Sequence, residues 1–279
     1  MRVLLTGASS GIGAATARRL ARRGDDLVLV GRGRAGLERV AGRVGARIEV
    51  ADVTDRDALD AAFERAAAAL GGLDAVIANA GAAAYGPFRE ADPDDVDRTV
   101  AVTLLGAANT LRAALPHLEA TAGTIVFTGS VAGRYPMPLM SAYAAAKHGL
   151  RGLVESVRLE LSESGSPVRV AMVHPGPVDT PFWVNVTPAG GRMPPRMPPW
   201  VADDPDRIAK TLVRALDRPR PERVVGWTMK AVALVPRPLR DLALTRIVRL
   251  AIRHAAHDEP GRALWEPAGT GETDYLAKR

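Results

Sequence analysis

The chain has 279 residues, 47% hydrophobic and 24% charged, an ordinary globular composition and enough for one large α/β domain. It contains no cysteine, which excludes disulfides, thiol catalysis and cysteine metal sites and fits a reducing cytoplasm. The net charge is +6, but aromatics make up only 4% and no basic stretch is interleaved with them, so no nucleic-acid partner is expected.

Short apolar runs alternate with helical stretches up to about residue 175. Val3-Leu4-Leu5 reads as a strand and Ile12 to Arg23 as a helix. The first strand starts at Arg2, which leaves no room for a signal peptide. Leu27 to Val30 is the second strand, followed by a helix from Ala35 to Val44. Ile48-Glu49-Val50 is the third, followed by an alanine-rich helix from Asp55 to Leu70. Ala75 to Ala78 is the fourth, followed by helical stretches at Pro93 to Ala101 and Leu104 to Leu118. Thr124 to Phe127 is the fifth strand, Ala142 to Ser162 a long helix and Val168 to Val173 the sixth strand. This alternation predicts a parallel, doubly wound sheet with ligands at the strands' carboxyl ends.

Thr180 to Pro199 breaks the rhythm with Pro, Met, Gly and Trp and reads as a loop. Asp206 to Leu216 is a helix, and Val224-Val225 a last strand. These boundaries give one catalytic domain over 1–226, with 180–200 as a substrate lid, and a helical extension and tail over 227–279. No apolar run reaches the roughly 18 residues of a spanning helix.

Three segments carry chemistry. The first is Thr6-Gly7-Ala8-Ser9-Ser10-Gly11-Ile12-Gly13, a glycine turn directly after a strand and opening a helix. Gly7, Gly11 and Gly13 allow a tight turn, and the backbone of Ser9, Ser10 and Ile12 can approach a pyrophosphate at the helix's positive end. The second is the end of the second strand, Val30-Gly31-Arg32, where an NAD site usually holds an acidic residue. None is present. Arg32 can pair with a 2′-phosphate, with Arg34 and Ser9-Ser10 in reach, which favours NADP(H); the other reading is one more surface arginine. Asp52-Val53 is placed to meet the adenine, and Asn79-Ala80-Gly81 to let backbone approach the cofactor.

The third segment is Tyr143-Ala-Ala-Ala-Lys147, with Ser130 thirteen residues before the tyrosine. The chain has 33 arginines and only four lysines, so a lysine one helical turn after one of four tyrosines stands out. A nearby cation favours a phenolate, and an ammonium on a flexible stem can serve a phenol and a cofactor hydroxyl together.

As a set, these motifs, with Pro175-Gly176, resemble the short-chain dehydrogenase/reductase family of the single-domain type. The match runs from Met1 to about Thr180 and more loosely to residue 226. The resemblance implies a Rossmann fold, a nicotinamide cofactor, interconversion of a carbonyl and an alcohol, and homodimers or homotetramers. It implies Tyr143 as acid and base, Lys147 as the group that lowers its pKa and holds the nicotinamide ribose, and Ser130 as the substrate's hydrogen-bond partner. Pro175, Gly176, Val178 and Thr180 would meet the nicotinamide end, and Arg32 fits the family's NADP-preferring pattern. One position departs: the family's helical asparagine, three residues before a glycine, falls on Thr103. That asparagine is thought to seat a water linking the lysine to solvent, so Thr103 joins the catalytic set as its replacement. Asn109, six residues on, points to another helix face.

No metal is expected, and His117, His148, His174, His254 and His257 show no ligand spacing. Phe182, Trp183, Met193, Met197 and Trp200 can cover a bulky apolar substrate or simply pack the lid; Tyr135, Leu139 and Met140 are further pocket candidates. Residues 227–257 mix apolar residues at near-helical spacing with arginines. Such a helix can lie on a membrane, making the protein a peripheral lipid-carbonyl reductase, or pack on the core or a sister subunit, the reading preferred here. A non-catalytic NADP sensor or scaffold is the other alternative, which an intact Ser-Tyr-Lys set disfavours.

Overall fold

The computed structural model describes residues 1–191, 194 and 202–226, together with positions 235, 236, 239, 242 and 246. In chain order the elements are β1 (Arg2–Thr6), α1 (Gly11–Arg23), β2 (Asp26–Gly31), α2 (Arg34–Val44), β3 (Arg47–Val50), α3 (Arg56–Leu70) and β4 (Ala75–Ala78). Then come β5 (Ala84–Tyr85), α4 (Pro93–Val100), α5 (Gly106–Thr121), β6 (Thr124–Thr128), α6 (Ser141–Glu163) and β7 (Arg169–His174). The described order closes with β8 (Thr187–Pro188), α7 (Pro205–Asp217) and β9 (Glu222–Val224).

Seven strands form one parallel sheet in the order β3-β2-β1-β4-β6-β7-β9. The order reverses between β1 and β4, which opens a crevice above their carboxyl ends. Alternate strand residues serve two cores. Leu4, Val28, Val76, Ile125 and Met172 pack under α3, α5 and α6. Val3, Leu5, Leu29, Ile77 and Val173 pack under α1, α2 and α7. Burial on both faces explains why these strands read as unbroken apolar runs.

The gap expected between two helices near 102–103 is absent. Ala101–Leu105 forms one wide π turn that carries α4 directly into α5. The segment expected to be a plain loop also has structure. β8 pairs in parallel with β5, and Thr187 N donates to the Ala83 carbonyl at 3.0 Å, stitching the lid to the segment after β4. No helix among the described residues is long and apolar enough to cross a membrane. Of the helix expected within 227–257, positions 239, 242 and 246 are described and helical; the remainder, and the residues Met193, Met197 and Trp200, lie outside the described residues.

Candidate active site

A cavity of about 710 Å³ opens over the carboxyl ends of β1, β4 and β6. It is lined by Gly7, Ser9, Ser10, Gly11 and Ile12 of the glycine turn, by Arg32, Asp52 and Val53, and by Asn79, Ala80 and Gly81. Its other end holds Ser130, Tyr143, Lys147, Pro175, Gly176, Val178 and Thr180. The expected site residues therefore converge, with four exceptions. Gly13 sits behind the turn; Thr103 faces Ala82; Arg34 pairs with Glu38 on its own helix at 3.6 Å; Tyr135 is not part of the wall.

The turn can hold an anionic cofactor. The side chain of Ser10 makes no capping bond and the first turn of α1 has no acidic residue, so the helix's N–H groups face the cavity unmet. Gly7 has φ of 64°, a left-handed conformation that favours glycine. A Cβ on Gly13 would stand 2.1 Å from the Gly7 carbonyl oxygen, so the turn closes only with glycine there. Asn79 braces the turn: its amide donates to the Gly7 carbonyl at 3.1 Å, and its carbonyl accepts from Thr128 Oγ1 at 3.1 Å. At the second strand's end, Arg32 lies 3.7 Å from Asp52, a long contact, and its side chain is 59% exposed, so its guanidinium is open to a further partner.

Ser130 follows β6, and its Oγ accepts from Ala132 N at 3.1 Å while its hydroxyl bonds Tyr143. Tyr143 stands in the first turn of α6. Burial pushes its phenol up to about 12, while a hydrogen bond with Ser130 works the other way. Lys147, one turn on, is buried and pushed down to about 8 by that burial. Its Nζ donates to the Thr128 carbonyl at 2.7 Å and lies 5.7 Å from the Tyr143 ring centre. The expected lowering of the phenol by Lys147 is not what governs it here: burial dominates. Thr103 also differs from the relay expected of it. Its hydroxyl accepts from Ala82 N at 3.0 Å and donates to Ala82 O at 2.9 Å, so its proton is already committed. Asn109 does point elsewhere, donating to the Val53 carbonyl at 2.9 Å.

The substrate end is apolar. Phe182 packs on Tyr143 with ring centres 5.7 Å apart, and Trp183 meets Phe182 edge-on at 5.5 Å. Trp183 Nε1 donates to the Val178 carbonyl at 2.9 Å, fixing this segment beside the Ser130–Tyr143 end of the cavity. Met137, Leu139 and Met140 complete this wall.

Residues 1–190 match the family model for short chain dehydrogenases. The chain belongs to that family. Its members are oxidoreductases that act on CH–OH groups with NAD(P). The chain is 38% identical over 217 residues to a cis-4-hydroxycyclohexanecarboxylate dehydrogenase of Sinomonas cyclohexanicum, covering 75% of this chain and 86% of the relative. Among solved structures, an alcohol dehydrogenase from the archaeon Thermococcus sibiricus complexed with 5-hydroxy-NADP superposes with a TM-score of 0.71 at 29% identity, covering 81% of this chain and 96% of that one. A 3-ketoacyl-(acyl-carrier-protein) reductase from Brucella melitensis complexed with NADH gives the same TM-score at 26% identity, covering 80% and 95%. This short-chain dehydrogenase thus resembles proteins seen with either nicotinamide cofactor.

Two residues that sequence reasoning passed over stand directly behind Ser130. His174, noted there only as lacking ligand spacing, is fully buried at the end of β7 with Nδ1 3.0 Å from the Ser130 carbonyl oxygen. Glu222 opens β9 two residues before the apolar Val224-Val225, and no motif marks it.

Proposed function

We propose that the protein interconverts a ketone and a secondary alcohol on an apolar, bulky substrate, with NADP(H) as cofactor and 1–226 as its catalytic unit. The observation that carries this reading is the convergence of Ser130, Tyr143 and Lys147 at one end of a cavity whose other end is an uncapped glycine turn. The turn and α1 would hold the pyrophosphate, Arg32 the 2′-phosphate, and Lys147 the nicotinamide ribose. The bound cofactor supplies the hydride.

In reduction, the Tyr143 hydroxyl gives its proton to the carbonyl oxygen, and the Ser130 hydroxyl turns from Tyr143 to donate a hydrogen bond to the same oxygen. Burial suits the acid role, because a phenol held near 12 stays protonated at neutral pH. Oxidation requires the same phenol to lose its proton first, a step that the Lys147 ammonium, 5.7 Å from the ring centre, would favour. The apolar wall of Phe182, Trp183 and Met140 accepts a hydrocarbon body and excludes water from the reacting atoms.

The likeness to a hydroxycyclohexanecarboxylate dehydrogenase makes ring ketones the natural first probes. The test is a screen of cyclohexanone, 4-oxocyclohexanecarboxylate and larger apolar ketones with NADPH and NADH, and of the matching alcohols with the oxidised cofactors. NADPH consumption with at least one apolar ketone supports the reading. Tight NADPH binding with no turnover across the panel would point to a cofactor sensor instead.

A further inference from the structure

Behind the site lies a charged cluster that the chemistry above does not use. Glu222 receives hydrogen bonds from Arg151 Nε at 2.5 Å and from Arg134, whose ion pair with it is short. Arg134 is four residues after Ser130, in the turn that follows it. Arg151 is one helical turn after Lys147 on α6, so its anchor bears on the helix that carries Tyr143 and Lys147. His174 approaches the same carboxylate, with Nε2 3.3 Å from Glu222 Oε1 at an angle that makes no hydrogen bond.

The tautomer of His174 follows from its other nitrogen. Nδ1 faces the Ser130 carbonyl oxygen at 3.0 Å, and a carbonyl can only accept, so Nδ1 carries the proton. The packing there is tight. A Cβ on Gly129 would stand 2.7 Å from His174 Nδ1, so the residue before Ser130 must be glycine for the imidazole to reach the serine's backbone. The backbone continues the brace. Gly129 N donates to the Val173 carbonyl at 2.7 Å, Val131 N to the Pro175 carbonyl at 2.9 Å, and Val225 N to the His174 carbonyl at 3.0 Å.

We propose that His174 and Glu222 are positioning residues for the reaction: His174 fixes the backbone of Ser130, and Glu222 locks the Ser130 turn and the Tyr143–Lys147 helix to the β7–β9 edge of the sheet. The proposal rests on the catalytic reading of Ser130 and Tyr143 given above. It explains why a carboxylate stands in this half-buried place. Burial alone would raise its pKa, yet the hydrogen bond from Arg151, foremost among the contacts that oppose burial, holds it down to about 2, so it stays ionised at neutral pH. Both residues act through others, since neither lines the cavity. Misplacing a reacting group by an ångström or less slows turnover strongly while leaving remote binding energy intact.

The test uses the full chain with Glu222→Gln, His174→Leu and His174→Asn, each checked for folding by circular dichroism and for NADPH affinity by fluorescence. The asparagine amide can reproduce the Nδ1–H bond to the Ser130 carbonyl; leucine cannot. Expected is a fall in kcat of roughly tenfold to hundredfold for Glu222→Gln and His174→Leu, with NADPH affinity and KM nearly unchanged, and substantial recovery in His174→Asn. Hydrogen exchange over residues 129–135 reads the brace without any substrate: it should quicken in Glu222→Gln and His174→Leu and stay slow in His174→Asn. If the wild type turns over no substrate, the catalytic reading fails, and the exchange data alone decide whether the brace holds Ser130. Unchanged exchange over 129–135 in both disruptive variants, or unchanged kcat in folded Glu222→Gln, would overturn the proposal.

Discussion

Lys147 Nζ donates to the Thr128 carbonyl at 2.7 Å while standing 5.7 Å from the ring centre of Tyr143, so one buried ammonium joins the end of β6 to the helix that carries the phenol. The arrangement has a stability consequence with a definite sign. Burial pushes Lys147 down from 10.5 to about 8, so the charged form is less favoured in the fold than in the unfolded chain. The penalty is complete below pH 8 and fades as pH rises toward 10.5. A fall of that size corresponds to about 3 kcal/mol. In Lys147→Met the penalty is gone, but the Thr128 carbonyl loses its partner, at a cost of about 1–3 kcal/mol. The sensitive quantity is therefore the trend. Wild-type stability relative to Lys147→Met should improve as pH is raised from 8 toward 10, measured by denaturant unfolding at each pH. A constant difference would show that the lysine is not held in its neutral-favouring environment.

Gly13 supports the cofactor turn from behind. A Cβ there meets the Gly7 carbonyl oxygen at 2.1 Å and the Ala8 Cα at 2.9 Å, both backbone atoms that cannot swing aside. Gly13→Ala should lose about 1–3 kcal/mol of stability and most of its NADPH affinity, because the turn must open to admit the methyl. Thermal unfolding and fluorescence titration check the two effects separately.

Arg32 is the residue proposed to discriminate between the two cofactors. A charge-assisted bond to a phosphate contributes about 1.5–3 kcal/mol, or a preference on the order of tenfold to hundredfold. Wild-type kcat/KM should favour NADPH over NADH by that factor, and Arg32→Ala should erase the preference mainly by losing NADPH. Its long contact with Asp52 adds a second arm: Asp52→Asn should leave the preference standing or strengthen it, since the competing carboxylate is removed. Equal use of both cofactors by the wild type would sink the assignment.

The fold was readable because buried parallel strands write themselves as short apolar runs, and the glycine turn and Tyr-x-x-x-Lys lie within single segments. What escaped the reading is non-local or too short to show a period. β5 and β8 have two residues each, and their pairing joins residues 84 and 187. The π turn hid not Thr103 itself but what its hydroxyl does, since its commitment to Ala82 depends on how the helix widens, not on residue spacing. The brace around Glu222 draws on positions 134, 151, 174 and 222, each unremarkable alone. A strand expected at 224–225 in fact runs from 222 to 224, so Glu222 fell just outside it.

Phe182 walls the end of the cavity where the proposed substrate would sit, its ring 5.7 Å from that of Tyr143. Phe182→Ala removes that wall without touching the proton donor. Its kcat/KM should shift toward larger ketones relative to cyclohexanone by roughly tenfold, the scale of a few buried methylenes. An unchanged ratio would place the substrate elsewhere in the cavity.

The most direct test of the account is Tyr143→Phe, assayed for NADPH-dependent reduction of the best ketone from the screen alongside NADPH affinity. The substitution keeps the ring and its packing on Phe182 and removes only the proton donor. The account predicts that kcat falls by roughly a hundredfold or more, the contribution of a positioned acid, while NADPH binds as tightly as to the wild type. Turnover near the wild-type rate in a folded, NADPH-binding Tyr143→Phe would contradict it.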